Sequence, residues 1–388
     1  MTSSKYAHSY FLVAFCTMAC MAYINFLPAV VDVMINGLGL SQQQAGEVVA
    51  INGYGGLLGL ALAVCLGASC PWRKIVVYCL VTMMVLDLTS PFTQDGNFLV
   101  VWRFFSGVMG GVSMGIMFSF IARLPVPDKA FGLLLFLQFV LGSLVIYLLP
   151  ELERSLSQYS AFHLMAGLAL LGLGALGFIP SLAPLKNVAT PQKLKAKFSV
   201  NNIALMLAIF SYQLAASAIW AYASQIGQQF KIPHGETSTI IAITGLLGLV
   251  GASWPVFLNT QPRRYFWTLV GIGLSVMSAV ILLNMTQTYV FTVALGLLFL
   301  SWPAVVSYTM ATLAERDADG QLSTIAGLFS FLGLSSGPLL AAGLVSPSDF
   351  SSAIVACAFA FLVSGVINAK AMASSAQISP INTQIMEN

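Results

Sequence analysis

Asn97–Arg123 reads NFLVVWRFFSGVMGGVSMGIMFSFIAR. About 20 predominantly apolar residues suffice to cross a bilayer as a helix, and this stretch is long and apolar enough to do so. It nevertheless carries Arg103, six residues beyond Asn97 and so about 9 Å along the helix axis. A guanidinium in hydrocarbon is expensive, so such a charge faces a protein interior or a watery pathway. Behind it Gly107, Gly111 and Gly115 recur every four residues. That spacing places them on one helix face, where a neighbouring backbone can approach closely. The stretch reads as a packed helix with one polar cavity group above a glycine seam, the seam being a packing and gating surface.

The surrounding chain agrees. Of 388 residues, 58% are hydrophobic and only 7% charged, with mean hydropathy +0.88; soluble domains carry roughly 25% charged residues. Backbone in lipid must bond to itself, which leaves helices or closed barrels. The apolar runs are continuous rather than alternating, so the expected fold is an all-α polytopic membrane protein. Twelve spans are predicted, at 9–34, 44–67, 74–93, 97–122, 130–150, 159–182, 199–225, 236–258, 265–286, 289–314, 321–344 and 350–372. The first is read as a retained span, not a cleaved signal, because it runs on past Pro28 without a small-residue cleavage motif. The longest connection, 183–198, holds four lysines and two prolines. It divides the chain into an N-terminal six-helix bundle (1–182), a basic linker (183–198), a C-terminal six-helix bundle (199–373) and a polar tail (374–388).

Charge sets the orientation. With the N-terminus in the cytoplasm, 13 basic residues fall on inside segments, among them Arg73, Lys74, Arg263 and Arg264, and only Arg154 and Lys231 fall outside. This obeys the positive-inside rule and puts both termini in the cytoplasm, as in a bacterial inner-membrane protein. The six cysteines show no Cys-x-x-Cys pair and read as small core hydrophobes, while His8, His163 and His234 are too scattered to suggest a metal site.

Two halves are visible within the chain. Val49–Gly59 (VAINGYGGLLG) aligns with Ile241–Gly251 (IAITGLLGLVG) at an offset of 192 residues. Arg73-Lys74 repeats as Arg263-Arg264 at 190, and Gly132–Leu144 (GLLLFLQFVLGSL) repeats as Gly327–Leu339 (GLFSFLGLSSGPL) at 195. Parallel six-span halves on a basic inside linker describe a transporter whose halves rock about a midplane site. Arg103 is not mirrored, since the tenth span offers Val293 near the equivalent place.

With these features the chain resembles the major facilitator superfamily over nearly its full length. Val101–Gly111 (VWRFFSGVMGG) is similar to that family's fourth-helix motif, an arginine followed by glycines, here Arg103, Gly107 and Gly110. Asn25-Phe26-Leu27-Pro28 and Leu38–Gly46 (LGLSQQQAG) are similar to its first helix and first outer loop. The family's inside loop after the second helix has a Gly, an Asp and paired basic residues. Here it reads Gly67-Ala-Ser-Cys-Pro-Trp-Arg73-Lys74, with Ser69 near the place of the Asp, so Arg73 and Lys74 are read as topological anchors. The drug-antiporter motif of the fifth helix is absent, and its nearest echo is Gly333–Gly343 (GLSSGPLLAAG).

The candidate sites follow. Arg103, Asp32 and Asp87 lie at similar depth toward the outer side and form the transport and coupling group, in which a carboxylate takes a proton and releases Arg103. Asn25, Asn52, Gln138 and Gln213 are the substrate-cavity residues, with Tyr54, Tyr212, Thr244 and Trp302 as further mid-depth polar groups. Trp220 and Tyr222 read as interfacial belt residues, Pro303 and Pro338 as kinks, and Glu315-Arg316-Asp317 as a solvated loop. There is no Walker loop, serine elbow or metal-spaced His/Glu cluster, so neither an ATP-driven pump nor an enzyme is expected. The expected function is secondary active transport of a small solute by alternating access. Protons are the coupling ion, there is no other cofactor and no nucleic acid, membrane lipid is the surrounding partner, and the protein is a monomer. The alternative is a non-transporting sensor or scaffold on the same fold.

Overall fold

The first span, read in the sequence as one helix, is broken. α1 (Ser3–Cys20), α2 (Ala22–Asn25) and α3 (Leu27–Asp32) are separated at Met21 and Phe26, and a π-helical turn follows at Val33–Gly37. Pro28 explains the second break. It has no N–H and cannot bond the carbonyl four residues back, which leaves the Ile24 carbonyl without its helical donor. The Trp220 indole N–H supplies one, at 3.3 Å.

This computed structural model describes residues 3–66, 71–93, 96–179, 199–257, 263–285, 287–317, 321–346 and 349–376. The linker 183–198, Ser69 and most of the expected tail lie outside the described residues. The first half continues with α4 (Gln42–Leu66), α5 (Trp72–Thr89), α6 (Gly96–Ile121), α7 (Pro127–Ser155) and α8 (Ser160–Phe178). α9 (Val200–Ala221) and α10 (Ala223–Gln229) form the seventh span. α11 (His234–Phe257), α12 (Arg264–Leu283), α13 (Thr288–Ala314), α14 (Gln321–Leu344) and α15 (Ser351–Ala376) complete the set. Eleven helices among the described residues are long and apolar enough to cross a membrane, and the pieces of the first span make the twelfth. No strand is present among the described residues.

The chain forms two compact units. Unit 1 holds Met1–Thr190 together with Trp220–Ile243, and unit 2 holds Pro191–Ile219 and Thr244–Asn388. The end of the seventh span and the start of the eighth therefore belong with the first half of the sequence. Tyr222, expected in an interfacial belt, is instead buried in unit 1, where its hydroxyl donates to the Gln42 carbonyl at 2.6 Å.

In unit 1 the tightest seam joins α4 to α6. A Cβ on Gly107 would stand 1.9 Å from the Asn52 carbonyl oxygen, one on Gly111 2.1 Å from that of Gly56, and one on Gly115 2.6 Å from the Ala63 Cβ. No real side chain fits at those distances, so glycine is required for the backbones to meet. Lipid tails give helices no hydrophobic reason to associate, and close backbone contact takes over that role. The opposite face of α6 presents Phe98, Val101 and Phe105, all exposed, as a lipid-facing surface should be.

Unit 2 repeats this contact in its own helices. A Cβ on Gly59 would lie 2.2 Å from the Val108 carbonyl oxygen, and one on Gly251 would lie 2.1 Å from that of Leu300. Both partners are displaced by the offset of 192 found in the sequence. In that register Arg103 corresponds to the buried Leu295, two residues on from the Val293 expected from the sequence alone. α12 packs on α13 as α5 packs on α6, and Arg264–Leu283 contains no acidic residue. Elsewhere in unit 2, Leu205 and Met206 of α9 form a core with Leu313, Leu322, Ala326, Ala371 and Met372.

Candidate functional site

Arg103 is fully buried on α6, and its Nη1 donates to Asp87 Oδ1 on α5 at 2.6 Å. Asp87 is 3% exposed. The guanidinium carbon lies 4.5 Å from the ring centre of Phe162 on α8 and 5.5 Å from that of Tyr23 on α2, so the aromatic faces add cation–π attraction. Trp102 fixes the register of α5 against α6 by donating its indole N–H to Thr89 Oγ1 at 2.9 Å. From α4, the Asn52 amide donates to the Arg103 carbonyl at 2.8 Å. The pair is not saturated. Arg103 Nε and Nη2 are buried with no hydrogen-bond partner among the described residues, and so is the Tyr23 hydroxyl. Unspent donors this deep are expensive unless something accepts from them.

A second polar group includes Asn25, two residues beyond Tyr23 on α2. Gln138 of α7 donates from Nε2 to Asn25 Oδ1 at 3.3 Å and also approaches Met21 Sδ at 3.6 Å. The Asn25 Nδ2 is buried and unpartnered. Asn25 and Gln138 thus keep hydrogen-bonding capacity for a ligand, whereas Asn52 is held on backbone. Gln213, in unit 2, is spent at both ends of its amide. It donates to Ser330 Oγ at 2.8 Å and accepts from Trp302 Nε1 at 2.5 Å. Beside it Tyr212, Ser275 and Ser301 form a buried hydroxyl chain, each link 2.8 Å long.

Asp32 does not join Arg103. The sequence set Asp32 and Asp87 at one depth, but packing of α5 on α6 selects Asp87, and Asp32 anchors a separate network within unit 1. Its Oδ1 accepts from Asn36 Nδ2 at 2.9 Å, Ser224 Oγ at 3.1 Å, Gln225 Nε2 at 2.7 Å and Gln228 Nε2 at 2.8 Å. His234 Nδ1 lies 3.8 Å from Asp32 Oδ2, and His234 Nε2 lies 3.0 Å from Glu153 Oε2. The scattered histidines of the sequence therefore conceal one that meets two carboxylates. The available signal was the polar run Ser224-Gln225 and Gln228-Gln229 inside an apolar span, at spacings that share a helix face.

A family model described as Major Facilitator Superfamily matches residues 10–315. The chain belongs to the Major Facilitator Superfamily. Membership makes it a secondary transporter rather than an enzyme. Among solved structures, a variant of the nucleoside transporter NupG superposes with a TM-score of 0.74 at 12% identity, covering 94% of this chain and 99% of that one. Unmodified NupG gives 0.71 at 10% identity, with coverage of 94% and 98%. A D-xylose-proton symporter gives 0.70 at 17%, with coverage of 94% and 96%. At these identities the likeness is one of fold. No curated protein matches the sequence.

The basic residues expected at the inner helix ends are engaged to different degrees. Arg73 donates to the Ile179 carbonyl at the end of α8 and stacks 5.5 Å from Trp72, while Lys74 is exposed. Arg263 is exposed at the start of α12. Arg264 forms a two-point pair with Glu315, at 2.6 and 2.7 Å. Glu315, read as part of a solvated loop, is held below its ordinary carboxylate range, chiefly by that hydrogen bond. Its neighbours are also engaged: Arg316 bonds Asn202 and the Ala371 carbonyl, and Asp317 accepts from the Ser323 N–H.

Proposed function

We propose that this protein couples proton movement to the transport of a small polar solute, uncharged or anionic, by alternating access. The observation that carries the reading is the buried Arg103–Asp87 pair with two guanidinium nitrogens unbonded. A buried ion pair is stable only while both charges persist. Protonation of Asp87 removes one of them, and Arg103 is then freed to meet an acceptor on the solute. Asn25, with its unpartnered Nδ2, and Gln138 beside it are further contacts for that solute. Support comes also from the printed names of the fold relatives, one a proton symporter for a sugar and one a transporter of nucleosides, both uncharged and rich in hydroxyls.

In this reading Asp32 serves as the second carboxylate of the coupling group, acting through its own network. Gly107, Gly111 and Gly115 are the surface on which α6 shifts against α4. In this reading the protein works as a monomer in the bacterial inner membrane, with residues 1–182 and 199–373 as its halves and both termini in the cytoplasm, an orientation that the 13-to-2 basic asymmetry supports.

The test is uptake into proteoliposomes under an imposed pH gradient, across a panel of sugars, nucleosides and organic anions. Gradient-driven uptake should vanish in Arg103→Ala. In Asp87→Asn it should also vanish while solute exchange without a gradient survives, because the exchange needs no proton step. Uptake untouched by either change sinks the site assignment, and no flux of any panel member favours a sensor.

A further inference from the structure

Asp32, Glu153 and His234 come from α3, α7 and α11, are far apart in sequence, and bring one ligand-type atom each to within 4.8 Å of the others. We infer that they form a binding site for a divalent transition-metal ion, with zinc as the best fit. Tetrahedral ligands on bonds of about 2.1 Å stand about 3.4 Å apart. An imidazole gives an ion one nitrogen: His234 Nε2 stands 3.0 Å from Glu153 Oε2, and Asp32 Oδ2, 3.8 Å from the other ring nitrogen, must swing from the Nδ1 side to join them, the three ligand atoms lying within 4.8 Å.

Three further observations point to an ion rather than a plain hydrogen-bond cluster. Asp32 is 3% exposed, and its four hydrogen bonds among the described residues all go to Oδ1. Those donors hold the carboxylate as outer-shell partners hold metal ligands, and they leave Oδ2 turned toward His234 without a hydrogen bond. His234 Nδ1 is likewise buried and without a hydrogen-bond partner among the described residues. No lysine or arginine pairs with Asp32 or Glu153 among the described residues, so two carboxylates face one imidazole. A divalent cation balances that charge. One nitrogen and two oxygens suit zinc or manganese, whereas calcium and magnesium favour all-oxygen shells. Three protein ligands leave a further position open for water.

The ion would bind residues 220–243 to the helices of the first half within unit 1, which makes it a clamp on that unit. This inference shares Asp32 with the transport reading but uses neither Arg103 nor Asp87, and it is tested without transport. Full-length protein purified in detergent and stripped with EDTA is titrated with zinc chloride by calorimetry, with thermal unfolding followed in parallel. One zinc per chain should bind and raise the melting temperature, and EDTA should reverse the rise. His234→Ala and Glu153→Gln should each lower the affinity at least ~10-fold, as loss of a ligand or its support does. Should His234→Ala fail to fold, Glu153→Gln decides the matter alone. Gln225→Leu, which removes only an outer-shell donor, should weaken binding by about 10-fold without changing the stoichiometry. The inference is overturned by an absence of zinc binding, by unchanged affinity in Glu153→Gln, or by equal stabilisation with magnesium.

Discussion

The Arg103 side chain has five N–H donors, and among the described residues it makes one hydrogen bond, from Nη1 to Asp87. Removing either charge leaves the other buried and alone, which costs about 3–5 kcal/mol. Arg103→Leu and Asp87→Ala should therefore each lower the melting temperature strongly. The double variant should recover most of the loss, because unit 2 places Leu295 at the equivalent site with no acid on α12. Additive losses in a double-mutant cycle would show that the two do not act as a pair. The Arg264–Glu315 pair is different in kind, since the Glu315 side chain is 56% exposed. Its lowered pKa means that the pair stabilises the fold above the ordinary carboxylate range and loses that contribution as pH falls through the lowered value. Thermal unfolding of Glu315→Gln should differ from wild type by no more than about 1 kcal/mol near neutrality, and the two should converge in acid. At this scale the sequence exposes Arg103 plainly, because a charge in an apolar run has no other explanation. Its partner was not legible: two aspartates sat at suitable depth, and only the contact of α5 with α6 distinguishes them.

The α6 glycines separate into two kinds that sequence treats alike. Gly107 belongs to the family motif and to the seam with α4, so Gly107→Ala forces backbones apart and should cost about 1–3 kcal/mol as overpacking does. Gly110 belongs to the same motif, yet a Cβ there meets nothing nearer than the Cys20 carbonyl at 3.5 Å. Gly110→Ala should leave the melting temperature within a degree or two of wild type, and equal damage from both would show that the seam is not what holds α6. Continuous apolar length was enough to place the spans, and four-residue spacing the glycine face. It could not show the breaks in the first span, because Pro28 stands in an apolar run whose hydrophobicity never falters. The donor that repairs the break, Trp220, lies 192 residues further along the chain and carries no local mark.

The 192-residue repeat was legible where it lies in small residues that packing cannot change, though not at Arg103, whose counterpart is Leu295 and not Val293. Gly59 with Val108 and Gly251 with Leu300 make the same backbone approach in their separate units. The metal-ligand trio was illegible for the opposite reason: its members stand at span ends, where charged and polar residues are ordinary. One consequence follows from the assignment of residues 220–243 to unit 1. The linker 183–198 looks like a natural place to divide the gene, but a cut there separates unit 1 from a part of itself. Fragments 1–190 and 191–388, expressed apart, should each be degraded or aggregate. Made together in one cell they should assemble and be recovered as a complex by a tag on either piece. Recovery of a stable, monodisperse 1–190 fragment alone would contradict that expectation. A linear map of the sequence suggests two halves in tandem, but the first folded unit is stitched, with residues 220–243 from further along the chain completing it.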